Sequence, residues 1–257
     1  MRSVLVTGGT GTLGKDVVRR LADEHHEVTV LTRRADGEPG PFLREVGDLT
    51  TGMGLSAAVE GVEAIVHCAT GTGDVEATRR LVAAARRSGQ NPHLVYVSIV
   101  GIDHIGLPYY RTKLAAEQVV AASGLPYTIQ RATQFHDLIA RFFAVQRWSP
   151  VTVVARRFRF QPIHTRDVAR RLGELVAGDP VGMAPDIGGP DVIGMDRLAR
   201  MHHDAHGGRG RGRVVRVPLP GSIATGFAAG WNLTPANAVG TIGFEQFLAE
   251  HVTRGEA

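Results

Sequence analysis

The sequence predicts an α/β fold with a doubly wound parallel sheet and a small C-terminal cap. Two observations carry that expectation. Short apolar runs alternate with segments of helical periodicity through the first half of the chain, and the first run ends in glycines that open directly into a helical segment. Parallel strands joined by helices are covered on both faces, so they read as nearly continuous apolar stretches.

Taken in order, Ser3-Val4-Leu5-Val6-Thr7 is the first strand, and residues 12–24 place Leu13, Val17, Val18 and Leu21 on one helical face. Val28-Thr29-Val30-Leu31 is the second strand, and Asp36-Gly37-Glu38-Pro39-Gly40-Pro41 is an exposed loop. Ala64-Ile65-Val66-His67 and Leu94-Val95-Tyr96-Val97 follow as strands, with a helix at 75–88 that stops at Gly89. A helix at 109–122, rich in Ala, Leu, Glu and Gln, ends at Gly124-Leu125-Pro126 before the strand Tyr127-Thr128-Ile129-Gln130. After Thr133 the elements become short and irregular: helices at 138–146, 166–177, 195–206 and 244–252, and strands at 158–160 and 214–217. A single domain over 1–257 is expected, with 1–133 as the sheet-forming core and 134–257 mainly a substrate-side cap over the sheet's carboxyl edge.

Composition narrows the classes. Apolar residues at 43% and charged residues at 21% are ordinary for a globular protein, and no internal repeat or low-complexity tract is visible. The 29 Lys and Arg against 25 Asp and Glu leave a net charge of +4, which requires no nucleic-acid partner. Arg209-Gly210-Arg211-Gly212-Arg213 reads as a turn before the strand at 214–217. The opening apolar run is too short for a signal-peptide core, and no stretch of about eighteen apolar residues follows, so a cytoplasmic protein without a membrane span is expected. The lone cysteine, Cys68, offers neither a disulfide nor a cysteine metal cluster and reads as a small buried thiol.

Thr7-Gly8-Gly9-Thr10-Gly11-Thr12-Leu13-Gly14 sits between a strand and a helix, the context that gives a glycine pattern its meaning as a dinucleotide fingerprint. Gly8 permits the tight turn, Gly11 lets the backbone approach a pyrophosphate, and Gly14 allows the helix to pack closely on the strand. The helix start at Thr12 offers unpaired N–H groups and a partial positive charge to the phosphates. The sheet is therefore expected to be of Rossmann type. Where an NAD site places an acid at the end of the second strand, this chain has Thr32-Arg33-Arg34, and two guanidinium groups suit a 2′-phosphate. NADP(H) is the expected cofactor, with NAD(H) as the alternative.

These residues resemble the short-chain dehydrogenase/reductase superfamily, in its atypical branch near the NmrA-like proteins. The matching stretches are residues 7–14, Gly47-Asp48-Leu49, His67-Cys68-Ala69-Thr70, Tyr96-Val97-Ser98, residues 109–117 and residues 161–169. The resemblance implies that Gly8, Thr10, Gly11, Thr12, Leu13 and Gly14 hold the pyrophosphate and that Asp48 and Leu49 contact adenine. It implies further that Ala69 and Thr70 line the cofactor, Thr133 approaches nicotinamide, and Lys113 holds the nicotinamide ribose.

Tyr109-Tyr110-Arg111-Thr112-Lys113 puts a tyrosine and a lysine four apart, on one face of a helix. An ammonium near a phenol favours phenolate, which would let Tyr109 exchange a proton with a substrate oxygen. The other reading is a plain helix start with an aromatic pair in the core. Where related enzymes carry a substrate-binding Ser or Thr, this chain has Ile99 and Val100, so either Ser98 stands in and completes the catalytic set with Tyr109 and Lys113, or no residue takes that role. Arg131-Ala132-Thr133 lacks the proline that usually follows that arginine. Gln134, Phe135, His136 and His164 fall where the family's substrate cavity would lie, as wall residues or as packing. His202 and His206 stand one helical turn apart but have no obvious third ligand; they read as a solvated helix end, and no metal is expected.

The expected function is an NADP(H)-dependent oxidoreductase passing hydride to or from a small carbonyl, alcohol or quinone. The alternative is a non-catalytic NAD(P)-binding sensor or regulator of NmrA-like type. Isomerisation of a sugar nucleotide fits less well, since the cap is short.

Overall fold

The run that leads into the glycines forms β1 (Ser3–Thr7), whose Val4, Leu5 and Val6 are wholly buried. It feeds α1 (Thr12–Asp23), which buries Leu13, Val17, Val18 and Leu21, the face that the spacing predicts. This is a computed structural model, and it describes residues 1–35, 40–71, 73–146, 148–207 and 213–253. Residues 36–39 of the proline-glycine loop and 209–212 of the arginine-glycine turn lie outside the described residues.

After α1 come β2 (Glu27–Thr32), β3 (Leu43–Val46), α2 (Leu55–Ala58), β4 (Ala64–His67), α3 (Asp74–Arg87), β5 (His93–Ile99), α4 (Pro108–Ala121) and β6 (Tyr127–Ala132). They are followed by α5 (His136–Ala144), β7 (Val151–Ala155), β8 (Arg159–Phe160), α6 (Thr165–Ala177) and β9 (Gly182–Met183). The described chain closes with β10 (Ile193–Gly194), α7 (Met195–Ala205), β11 (Arg213–Val217), α8 (Ser222–Ala229), a 3₁₀ turn at Pro235–Asn237 and α9 (Phe244–Thr253).

Two compact units result. The first comprises Met1–Ser98, Pro108–Arg131 and Val168–Pro185; the second comprises Ile99–Leu107, Ala132–Asp167 and Asp186–Ala257. Residues 168–185 thus lie in the first unit, to which they add β9, and residues 99–107 lie in the second.

The first unit carries a seven-stranded parallel sheet among the described residues, in the order β3-β2-β1-β4-β5-β6-β9. This is the expected Rossmann-type α/β architecture. On one face Leu5, Ile65, Leu94, Tyr96 and Ile129 pack with Leu81, Val82 and Ala85 of α3 and Ala116 and Val120 of α4. On the other face α1 lies against β2, where Val18 and Val30 both close on Gly9. Strand order reverses between β1 and β4, so the connections leaving these neighbours diverge and open a crevice at their carboxyl ends.

β3 and α2 were not predicted. β3 is an edge strand whose Leu43 and Val46 are exposed, so it carries no buried-strand pattern, and α2 is too short for periodicity. The second unit holds two small sheets among the described residues, β8 with β10 antiparallel and β7 with β11 parallel. Its aromatic core gathers His136, His164, Phe244 and Phe247. There the helix-end reading of His202 is corrected: its ring is buried against Phe143 and stacks on His206 at 4.2 Å. Burial pushes its imidazole down to about 4, so it packs as a neutral ring rather than as a solvated cation.

Candidate functional site

At the end of β1 the chain turns through Gly8 at φ +69°, a left-handed conformation that glycine adopts without strain. A Cβ there would come within 2.6 Å of the Ala69 nitrogen, so the loop after β1 lies directly against the loop after β4. A Cβ on Gly14 would stand 2.0 Å from the Gly8 carbonyl oxygen; this glycine is where helix and loop touch. Gly11 differs. A Cβ there would meet only the Gly8 oxygen, at 3.2 Å, and otherwise open space. Gly11 also caps α1 without a side-chain hydrogen bond, leaving the first amides of the helix unclaimed, and Thr10, Gly11 and Thr12 are exposed. Gly8 thus makes the tight turn and Gly14 the close helix contact, while Gly11 faces open space. Gly9, which the spacing left without a role, lies 2.7 Å by the same measure from Val30 and keeps α1 tight on the sheet.

Beside this loop, β2 ends at Thr32, whose hydroxyl donates to the Arg34 carbonyl. Arg33 and Arg34 are exposed and make no ion pair among the described residues. On the next connection Asp48 accepts the Thr50 amide at 2.8 Å, and Leu49 packs on the core cluster.

The end of β4 is held by polar contacts. His67 is buried, with Nδ1 2.6 Å from the Thr7 hydroxyl and Nε2 3.1 Å from that of Thr78. Burial, reinforced by Lys113, pushes its imidazole down to about 3, so it is a neutral strut between β1, β4 and α3. Cys68 is partly exposed, and loss of solvent pushes its thiol up to about 12, which leaves it unreactive. Beyond it, the Thr70 hydroxyl donates to Asp74 Oδ2 at 2.9 Å and lies 3.0 Å from the Tyr109 hydroxyl. The other oxygen of Asp74 accepts the Gly71 amide at 2.5 Å.

Tyr109 stands in the first turn of α4 with its ring half-exposed. Lys113, one turn on, is buried, and its Nζ lies 4.2 Å from the centre of the Tyr96 ring. Among the described residues that ammonium makes no hydrogen bond or ion pair. Burial pulls it down to about 8, against the opposing charges of Asp74 and Glu117. The expectation that Lys113 lowers the Tyr109 phenol is not met: burial raises that phenol, and Asp74 adds to the rise. The lysine has turned onto Tyr96 instead. A part-buried two-pronged ion pair, Glu117 with Arg131 at 2.9 and 2.8 Å, ties α4 to β6. On β5, Tyr96 and Ser98 bury hydroxyls with no partner among the described residues.

The remaining candidates belong to the second unit. The Thr133 hydroxyl donates to the Gln161 carbonyl at 2.5 Å, and Gln134 accepts from the Asn232 amide at 3.3 Å. Phe135 bridges to Ile163. The His136 Nε2 is 2.9 Å from the Ile242 carbonyl, and burial lowers its imidazole to about 4. His164 Nδ1 accepts the Arg166 amide at 3.0 Å. These four predicted substrate residues are thus already engaged in the packing of their own unit.

The first unit fits a nicotinamide dinucleotide: an open cradle at Gly11, amides of α1 without a side-chain cap, a buried ammonium with no ion pair among the described residues, and the orphaned hydroxyls of Tyr96 and Ser98 on β5. Asp74 and Tyr96 were missed. The signal for Asp74 was its place four residues after Thr70; Tyr96 was read as a strand residue and as part of a stretch matching the family, with no role of its own.

The NAD(P)H-binding family profile matches residues 8–176. The (4-alkanoyl-5-oxo-2,5-dihydrofuran-3-yl)methyl phosphate reductase of Streptomyces griseus is 30% identical over 203 residues, 74% of this chain and 69% of that protein. The photosystem II assembly factor Ycf39 of Synechocystis is 29% identical over 157 residues, 55% of this chain and 48% of that protein. The chain spans between 39% and 58% of the length of the first curated relatives it matches. An NADPH-dependent quinone oxidoreductase from Escherichia coli, solved with NADPH, superposes with a TM-score of 0.76 at 18% identity, over 99% of this chain and 100% of that one, a likeness of fold.

Proposed function

The chain belongs to the NAD(P)H-binding family, and from that premise we propose that it is an NADP(H)-dependent oxidoreductase acting on a small carbonyl, alcohol or quinone. The observation that carries this reading is Lys113, a buried ammonium with no hydrogen bond or ion pair among the described residues. Such a group is costly to bury and rewards an incoming polar ligand. Lys113 would hold the nicotinamide ribose hydroxyls, and the amides at Thr12 and Leu13 the pyrophosphate. The exposed guanidinium groups of Arg33 and Arg34 would pair with a 2′-phosphate, the basis for preferring NADP(H). Asp48, Leu49, Ala69 and Thr70 would border the adenosine and the rest of the cofactor, and Thr133 the nicotinamide.

Hydride is what a bound nicotinamide gives or takes. The chain's own residues deal with the proton and with orientation. The half-exposed Tyr109 hydroxyl would exchange a proton with the substrate oxygen, and the orphaned Ser98 hydroxyl would bind that oxygen. Gln134, Phe135, His136 and His164 are proposed as substrate-side residues of the second unit.

Binding without turnover is the second reading. It is favoured by the raised Tyr109 phenol and by the relative described as an assembly factor. A screen of NADPH oxidation across quinones, aldehydes and ketones separates the two. Saturable oxidation by one of these classes supports the enzyme; tight NADPH binding with none of them turned over supports the sensor.

A further inference from the structure

The hydroxyls at Thr70 and Tyr109 form a directed chain that ends on a carboxylate. Asp74 Oδ2 only accepts, and Thr70 has one hydroxyl proton, which goes to Asp74 at 2.9 Å. Thr70 therefore has only lone pairs left for Tyr109, 3.0 Å away, and in that contact the phenol must be the donor. The Tyr109 proton points inward to Thr70, and the lone pairs of its oxygen are left for whatever meets its exposed side. Asp74 is itself buried and fixed from the other side by the Gly71 amide.

We propose that Asp74 and Thr70 are positioning residues that act through Tyr109, with Asp74 as the terminal proton acceptor of a relay from substrate hydroxyl to Tyr109 to Thr70 to the carboxylate. The proposal rests on the hydride-transfer reading. In alcohol oxidation the substrate O–H bond breaks and its proton joins the Tyr109 oxygen. The phenol proton passes to Thr70, the Thr70 proton passes to Asp74, and the carbon-bound hydride leaves to the oxidised nicotinamide as the carbonyl forms. Carbonyl reduction runs the same shifts backward from a protonated Asp74. No free phenolate is formed at any stage, so a phenol held above its ordinary range by burial still carries a proton.

The groups facing Tyr109 are Thr70 and Asp74 from the β4–α3 side, and Tyr110, whose ring lies 6.3 Å away, together with Lys113 on its own helix. Asp74→Asn keeps an oxygen for the Gly71 amide but presents an N–H to Thr70, which reverses the chain and turns the Thr70 proton toward Tyr109. Thr70→Val breaks it, and Thr70→Ser restores it.

The test has two arms. In the ligand-free protein the phenolate absorbance that Tyr109→Phe removes is titrated in each variant. The proposal requires that titration to move down in Asp74→Asn, where the Thr70 hydroxyl turns to donate to the phenolate, down in Thr70→Val, which removes the acceptor of the phenol proton, and back in Thr70→Ser; a rise in Thr70→Val would make Thr70 the donor and overturn the direction. With NADPH and an accepted substrate, Asp74→Asn should lower kcat by about 10²-fold, the scale of a lost proton-transfer partner. KM and NADPH affinity should change little, and Thr70→Ser should keep most of the turnover that Thr70→Val loses. A Tyr109 titration identical in wild type and Asp74→Asn overturns the relay, as does full turnover in Asp74→Asn. Failure of NADPH to bind, or the absence of any substrate, sinks the hydride-transfer reading instead; the titration then still decides the direction of the chain.

Discussion

Replacing Lys113 by methionine should make the ligand-free protein more stable while it damages cofactor binding. In the folded chain burial holds the ammonium at about 8, down from 10.5. At about 1.4 kcal/mol per tenfold change in proton affinity, that gap is a penalty of about 3 kcal/mol for keeping the lysine charged. Its contact with the Tyr96 ring returns about 1 kcal/mol, part of which a methionine sulfur recovers. The net gain for Lys113→Met at neutral pH is therefore about 2 kcal/mol, or about 4–8 °C in Tm for a chain of this size. The sign of the pH dependence follows from proton counting. Between about 8 and 10.5 the unfolded chain holds a proton at this site that the folded chain has released, so wild-type stability rises with pH there. The advantage of the methionine variant is full below about 8 and gone above 10.5. Urea unfolding of both proteins at a series of pH values measures it. A variant less stable than wild type at neutral pH, or a difference that does not shrink with rising pH, would refute the reasoning.

Gly14→Val should unfold the chain or strongly destabilise it, because a Cβ there meets the Gly8 carbonyl oxygen at 2.0 Å. Gly11→Val, facing open space apart from one oxygen at 3.2 Å, should instead keep its circular dichroism and lose NADPH binding. Tyr109→Phe should leave NADPH affinity nearly intact and lower turnover by about 10²- to 10⁴-fold, read from steady-state kinetics on an accepted substrate.

Much of the first unit was legible because its signals are local. The glycine spacing defined β1, the turn and α1 together, and each buried strand announced itself as a short apolar run. What stayed hidden depends on contacts between distant residues. Helical spacing placed Tyr109 and Lys113 on one face, but only the position of Tyr96 on β5 decides where the lysine points. Asp74 looks like an ordinary first-turn acid of α3, and its meaning comes from Tyr109, which is far along the chain. The edge strand β3 and the two-residue β9 have too little buried surface to leave a pattern. In the second unit His202 reads as polar in sequence, yet Phe143 and His206 enclose it. Among the described residues no helix is long and apolar enough to cross a membrane.

The central claim is that the glycine loop and the arginines after β2 bind a phosphorylated nicotinamide dinucleotide. Calorimetric titration of NADPH and NADH into the wild type, and into a variant with Arg33 and Arg34 both changed to alanine, tests it most directly. Each charged hydrogen bond to the phosphate is worth about 1.5–3 kcal/mol. NADPH should therefore bind the wild type at least about tenfold more tightly than NADH, and the double variant should bind both alike. No binding of either dinucleotide, or an NADPH preference unchanged in the double variant, would contradict the account.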